Sequence, residues 1–182
     1  AEAAFGNGDV YFEEFIQRAR HIEVQILGDQ HGGVAHLGER ECSIQRRFQK
    51  VVEVAPAPGL DPELRERIIE AAVRCAQSVG YVSAGTFEFL VDATGGDNAQ
   101  PFAFIEANAR LQVEHTVTEA VTGVDIVQAQ LRIAEGATIA DLGLDNEAVA
   151  EPRGFAIQAR VCMETIAGDG TVQPSAGTLG VY

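Results

Sequence analysis

Residues 104–115, Phe-Ile-Glu-Ala-Asn-Ala-Arg-Leu-Gln-Val-Glu-His, constrain the fold more than any other stretch. Even positions are polar (Glu106, Asn108, Arg110, Gln112, Glu114), and the odd ones between them are small or apolar (Ile105, Ala107, Ala109, Leu111, Val113). Successive side chains of an extended segment point to opposite sides, so one face carries acid, amide, cation, amide and acid in a row. The plain reading of such alternation is the solvated face of an edge strand. Two features argue for more. The polar set is not the Lys/Glu/Thr mix of a wet face, and a second acidic run, Thr-Phe-Glu-Phe-Leu-Val (86–91), precedes it.

Between the runs lie residues 92–101, rich in turn formers. An antiparallel hairpin centred on Asp97 pairs Glu88 with Glu106 and sets Leu90 opposite Phe104. It turns Phe87 and Phe89 toward an apolar layer with Ile105. Two carboxylates then face each other with Cβ atoms about 5 Å apart. Like charges that close require a proton or a cation between them. Asn108, on the same face, offers a third oxygen. The set suits a hard divalent ion, Mg²⁺ or Mn²⁺, with phosphate completing its shell. A shared proton, or a different register, are the readings that need no metal. Fully extended, Glu106 to Glu114 would span about 26 Å, too long for one compact site, so the segment must curl after Asn108.

The rest of the chain reads as short strands around one good helix. Residues 9–16 follow a Gly-Asn-Gly turn as a strand. Residues 20–28 alternate, with Ile22, Val24 and Ile26 on one side and His21, Glu23 and Gln25 on the other. Residues 29–33 form a hairpin turn and 34–39 the return strand. His31 and His36 have no Cys/His set at ligand spacing and read as turn and surface residues. Residues 51–54 form a strand closed by Pro56 and Pro58. A helix follows, capped by Asp61, with Pro62 at its first position, Gly80 at its end, and a buried stripe of Leu64, Ile68, Ala71, Ala72, Cys75 and Val79. Asp125 and Gln128 suit the start of a second helix that runs to about residue 135, before Gly136. Residues 141–152 are acidic and irregular, a domain boundary. Residues 155–163 and 178–182 read as strands, the first carrying Arg160.

Thirteen basic residues stand against twenty-seven acidic ones, a net charge of −14, which argues against nucleic acid and anionic membrane as partners. Within that acidic chain, Arg46, Arg47 and Lys50, the last its only lysine, form a basic knot suited to a polyphosphate or another small anion. With 46% hydrophobic residues, 182 positions bury a core of ordinary size. No apolar run approaches the roughly 18 residues of a membrane span. Cys42, Cys75 and Cys162 are odd in number and widely spaced, as suits reduced thiols in a cytoplasm. The opening Ala-Glu-Ala-Ala-Phe reads as the end of a helix, which points to a segment cut from a larger protein.

Four stretches together carry a family resemblance: Glu-Arg-Glu-Cys-Ser-Ile-Gln-Arg-Arg-Phe-Gln-Lys-Val-Val-Glu (39–53), Ala-Pro-Ala-Pro-Gly (55–59), Gly-Thr-Phe-Glu-Phe-Leu (85–90) and residues 104–115. The chain resembles the biotin carboxylase component of biotin-dependent carboxylases, within the ATP-grasp superfamily, and the run Ala-Ile-Gln-Ala-Arg-Val-Cys-Met-Glu-Thr (156–165) resembles single-chain carboxylases of the pyruvate or urea type. The resemblance implies an α+β fold with an antiparallel sheet and packed helices. Residues 1–150 would be the later part of an ATP-grasp domain, its lid mostly absent, and 151–182 the start of a C-terminal subdomain. It implies ATP-dependent carboxylation of biotin by bicarbonate through carboxyphosphate, in a parent protein that is a homo-oligomer with a biotin carrier domain.

Residue by residue, the resemblance makes Glu13, Glu14, Phe15 and Ile16 the hinge that receives adenine, with His21, Gln45 and Leu90 lining the nucleotide. It makes Glu88, Glu106 and Asn108 the ligands of Mg²⁺ or Mn²⁺. Arg110, Gln112 and the Val113 backbone would hold bicarbonate with help from Lys50, Glu114 would be the general base, and Arg160 would stabilise the biotin enolate. Phe48 stands where many relatives have histidine, Glu14 where lysine is common, and Thr116 where proline is common. The family's glycine-rich lid and upstream phosphate-binding lysines have no counterpart in these residues, so the segment alone is expected not to turn over ATP. Two other readings stay open: another bicarbonate-activating ATP-grasp ligase, such as a carbamoyl-phosphate synthetase half, and a non-catalytic assembly module.

Overall fold

The computed structural model describes residues 2–94, 102–145, 152–178 and 180–181. Its frame is a six-stranded antiparallel sheet in the order β5-β4-β1-β2-β3-β6. The strands are β1 (Ala19–Gly28), β2 (Val34–Arg46), β3 (Gln49–Ala55), β4 (Ser83–Asp92), β5 (Phe102–Asn108) and β6 (Ala156–Ala159). Helices α1 (Glu2–Phe5), α2 (Pro62–Ser78), α3 (His115–Thr122) and α4 (Ile126–Ala134) accompany it, and β7 (Glu164–Ile166) pairs with β8 (Val172–Pro174) in a separate ribbon. The fold is α+β, as the sequence leads one to expect.

Alternation along β1 and β4 gives the sheet two different faces. Ile22, Val24 and Ile26 join Phe87, Phe89 and Val91 against Ile68, Ala72 and Ala76 of α2, all buried. Each larger side chain removed from water there contributes roughly 1.5–3 kcal/mol. Asp61 starts α2 by accepting from the Leu64 amide at 3.0 Å, and Pro62 follows it. Val79, expected in the buried stripe, is 71% exposed, because the helix ends at Ser78 and Val79 is its C-cap. A second apolar cluster joins Leu27, Leu37 and Ala84 to Ile126, Ala129 and Ile133 of α4, whose Asp125 cap accepts from the Gln128 amide.

The other face of the sheet is polar and yet covered. Glu23, Gln25, Thr86 and Glu88 are all buried, because the chain beyond β5 folds back over them. Asn108 ends β5, the Arg110 amide bonds to the Asn108 carbonyl at 2.8 Å, and α3 begins at His115. The curl required by the length of residues 106–114 is thus present.

Glu88 pairs with Glu106 as the hairpin spacing predicts, but the ladder slips between Glu88 and Phe89. Phe89 is opposite Phe104, and Leu90 is opposite Ala103 rather than Phe104. Ile105 is the surplus residue, 42% exposed, and not part of the apolar layer expected for it. The slip has a physical purpose. It moves Phe102 and Phe104 from the acid-bearing face to the other, where the Phe104 ring lies tilted 6.3 Å from Phe87 and edge-on 5.7 Å from Phe89.

Other expectations fail for equally local reasons. Residues 9–16 form no strand; Val10, Phe12 and Phe15 are exposed and no described strand lies beside them. β2 runs on to Arg46 instead of stopping at 39, carried through two irregularities in its pairing with β3. The strand expected over 155–163 is four residues long, and residues 178, 180 and 181 are not a strand. Of the turn expected over 92–101 and the boundary expected over 141–152, residues 95–101 and 146–151 lie outside the described residues. α3 was not legible at all, since β-branched Thr116, Val117, Thr118, Val121 and Thr122 dominate it.

Candidate active site

Four charged residues stand in register across neighbouring strands: Arg40 opposite Glu23, Glu23 opposite Glu88, Glu88 opposite Glu106. Three consecutive carboxylates in one row repel unless cations lie among them. Two do. Arg40, fully buried, gives Nε to Glu23 Oε1 at 2.6 Å, Nη1 to Gln25 and to Thr118 of α3 at 2.8 Å each, and Nη2 to Thr86. Lys50 Nζ reaches Glu23 Oε2 at 2.5 Å and Glu88 Oε1 and Glu114 Oε1 at 2.9 Å each. A third cation, Arg160 beyond β6, bonds Glu53 Oε1 at 2.7 Å and Glu114 Oε2 at 2.9 Å.

The network sets the protonation states. Burial pushes the Glu88 carboxyl up, but hydrogen bonds from His21, Gln112 and Lys50 and the charge of Lys50 outweigh it and hold it at about 2. Burial likewise opposes ionisation of Glu114, and the Lys50 contact and charge, with help from Arg160, bring it below the ordinary value. Lys50 loses by burial and gains more from Glu23 and Glu114, so its ammonium is held well above the usual lysine range. Glu53 goes the other way: burial raises it and Arg160 only partly offsets that.

A cleft of about 290 Å³ opens onto this network. His21 lines it from β1, with Gln45 from the end of β2 bonded to the imidazole Nδ1 at 2.9 Å. Phe48, at the β2–β3 turn, is wholly exposed at its mouth. Lys50, Glu88, Glu106 and Asn108 line it from β3, β4 and β5; Arg110, Gln112, Val113 and Glu114 come from the fold-back, and Arg160 from beyond β6. Twelve residues singled out from sequence and resemblance thus meet in one place. Leu90 does not line the cleft, although it stands directly opposite His21 on the neighbouring strand. Glu13, Glu14, Phe15 and Ile16 also stand apart, the first three exposed and Ile16 half-buried, in a run without regular structure. The basic knot is divided: only Lys50 enters the cleft, whereas Arg46 pairs with Glu164 and Arg47 is an exposed turn residue.

Glu88, Glu106 and Asn108 converge as a metal set would. The Asn108 amide nitrogen donates to Glu88 Oε1 and to Glu106 Oε1, at 2.9 Å each. One NH₂ group thus occupies the point toward which both carboxylates aim. Turning that amide about its last bond presents its oxygen instead, and the three side chains then fit a hard divalent cation. Gln112 also fits a ligand, for its Oε1 is buried and has no hydrogen-bond partner among the described residues, while its Nε2 donates to Glu88 at 2.8 Å. Two other groups of ligand-type atoms lie within 4.8 Å of one another, His21 with Glu23 and Glu88, and Glu23 with Cys42 and Glu114. Lys50 contacts carboxylates of both and is itself the cation that reconciles them.

Glu23, Arg40 and Glu53 escaped the sequence reading. The alternation of β1 had set Glu23 on the correct face. Nothing local says that this face is covered, since its cover comes from residues about 90 positions downstream.

Residues 1–142 match the family model of the carbamoyl-phosphate synthase L chain, ATP-binding domain. The chain is 56% identical over its full length to pyruvate carboxylase 1 of Caenorhabditis elegans, of which it covers 15%. Among solved structures, pyruvate carboxylase of Rhizobium etli superposes with a TM-score of 0.82 at 48% identity, over 93% of this chain and 15% of that one. The biotin carboxylase domain of the Hydrogenobacter thermophilus 2-oxoglutarate carboxylase, solved with MgADP, ADP and bicarbonate, gives 0.78 at 48% identity, over 90% of this chain and 34% of that one. The chain thus spans about 15% of the length of the curated relatives it matches. With the sheet, the charged row and these likenesses taken together, it belongs to the carbamoyl-phosphate synthase L chain ATP-binding domain family, with an ATP-grasp fold like that of biotin carboxylase domains.

Proposed function

We propose that this chain supplies the bicarbonate- and nucleotide-handling cleft of a biotin carboxylase, a ligase that uses ATP to carboxylate biotin, acting within a longer protein. The observation that carries this reading is the convergence of Lys50, Arg110, Gln112, Glu114 and Arg160 on the cleft that also holds Glu88, Glu106 and Asn108. Its roles follow from chemistry. Glu88, Glu106 and Asn108 would hold Mg²⁺ or Mn²⁺, which when bound neutralises polyphosphate charge. Arg110 presents a planar fork suited to bicarbonate, and the unpaired Gln112 Oε1 suits its hydroxyl. The Val113 backbone joins that cradle.

Glu114 stays ionised between Lys50 and Arg160 and is oriented through both its oxygens, which is what a base for bicarbonate requires. Arg160 supplies a fixed cation where negative charge develops on the biotin ureido group. His21, Gln45 and Phe48, with Leu90 beside them, form the nucleotide side. Glu13, Glu14, Phe15 and Ile16 enter as the adenine hinge through the resemblance alone.

A biotin carrier domain as partner, homo-oligomeric assembly, a cytoplasmic setting and a boundary near residue 151 belong to the same proposal. Three unpaired cysteines support the setting; beyond residue 151, β6 still joins the main sheet and only β7–β8 form a separate ribbon. The test uses the full-length protein that carries this chain. ATP hydrolysis should require bicarbonate and accelerate with free biotin. Acceleration by ammonia instead would favour the carbamoyl-phosphate reading, and a rate indifferent to bicarbonate would sink both.

A further inference from the structure

We propose that Glu53 is a positioning residue for Arg160: by taking its Nε it limits the guanidinium to one contact with Glu114, so that base and cation act separately on their own substrates. The inference rests on the reading above and adds to it a residue outside the cleft lining. Glu53 is fully buried on β3, opposite Gln158 of β6. One of its oxygens takes the Arg160 Nε at 2.7 Å; the other has no hydrogen-bond partner among the described residues. The Arg160 amide bonds to the Val51 carbonyl at 2.8 Å, so Arg160 and its anchor share one strand junction.

A buried carboxylate with an unpaired oxygen is costly, and an apolar side chain would fill the place more cheaply. What the carboxylate adds is a second claim on Arg160. The guanidinium divides its contacts between Glu53 through Nε and Glu114 through Nη2, and Nη1 donates to no described residue. Arginine is long and rich in rotamers, so one contact does not hold it in a single pose. With Glu53 neutralised, Glu114 becomes its only anionic partner. Arg160 would then turn both arms of its fork onto Glu114 as a bidentate pair, which blunts the base and withdraws the cation from the ureido oxygen. Burial raises the proton affinity of Glu53 and Arg160 opposes this, as expected of two groups that depend on each other.

The experiment is Glu53→Gln in the full-length protein, read by bicarbonate-dependent ATP hydrolysis with and without free biotin. The biotin-dependent rate is expected to fall roughly 10- to 100-fold more than the biotin-independent one, in kcat rather than in KM for ATP. In an Arg160→Met background the same substitution should add nothing further. If Glu53→Gln does not fold, Glu53→Asp, which keeps the charge but retracts it, takes its place with the same differential loss. Equal loss of both rates, no loss in either, or additive losses in the double variant overturn the inference. A wild-type protein whose ATP hydrolysis ignores bicarbonate or biotin overturns the underlying reading and this inference with it.

Discussion

Lys50 is the residue on which most of the charge balance turns. Removing its ammonium while leaving Glu23, Glu88 and Glu114 in place strands buried carboxylates, which typically costs about 3–5 kcal/mol. Lys50→Met should therefore lower the unfolding free energy by that amount in chemical denaturation, and an unchanged value would mean the contacts are incidental. Glu88 makes a pH prediction. Its folded pKa, about 2, lies below the ordinary glutamate value of 4.5, so its contribution is complete above about 4.5 and is lost as pH falls toward 2. The stability lost over that window should be on the order of 3 kcal/mol larger in wild type than in Glu88→Gln. At this scale the sequence showed the charged members that lie on the distinctive alternating run. Glu23, Arg40 and Glu53 were invisible because burial of a polar face is decided by segments remote in sequence.

Elements were legible where a local signal sufficed. The Asp61-Pro62 start of α2 and the Asp125 cap of α4 are written in two or three residues each. Asp61→Ala should cost about 1 kcal/mol by thermal denaturation, since only the Leu64 amide loses its acceptor. The β2–β3 turn carries no such signal. Arg47 and Phe48 both adopt positive φ, 52° and 64°, in a two-residue hairpin where Asn-Gly would be at ease. Replacing the pair with Asn-Gly should raise stability by roughly 1–2 kcal/mol through relief of that strain. A stabilised variant with weaker nucleotide affinity would show that the turn is kept for the aromatic side chain at the cleft mouth. The β5 slip was equally unreadable, because period-two counting has no means of skipping a residue.

Across the whole molecule, one sheet serves two purposes, an apolar face on α2 and a charged face under the fold-back, and the candidate site is the edge where the second emerges. A single lysine in 182 residues leaves little to grip a triphosphate. The isolated chain is expected to show no measurable ATP turnover in a hydrolysis assay, even with biotin and bicarbonate present. Robust turnover would mean that these residues suffice. The skipped Ile105 matters at this scale too. An unbroken ladder through the same residues would have hung a benzyl group from β5 beside Leu90; instead Ala103 stands there, with His21 on the far side. On the proposed reading, headroom for a flat heterocycle beside that wall is set by how many residues β5 counts, not by which polar groups it displays.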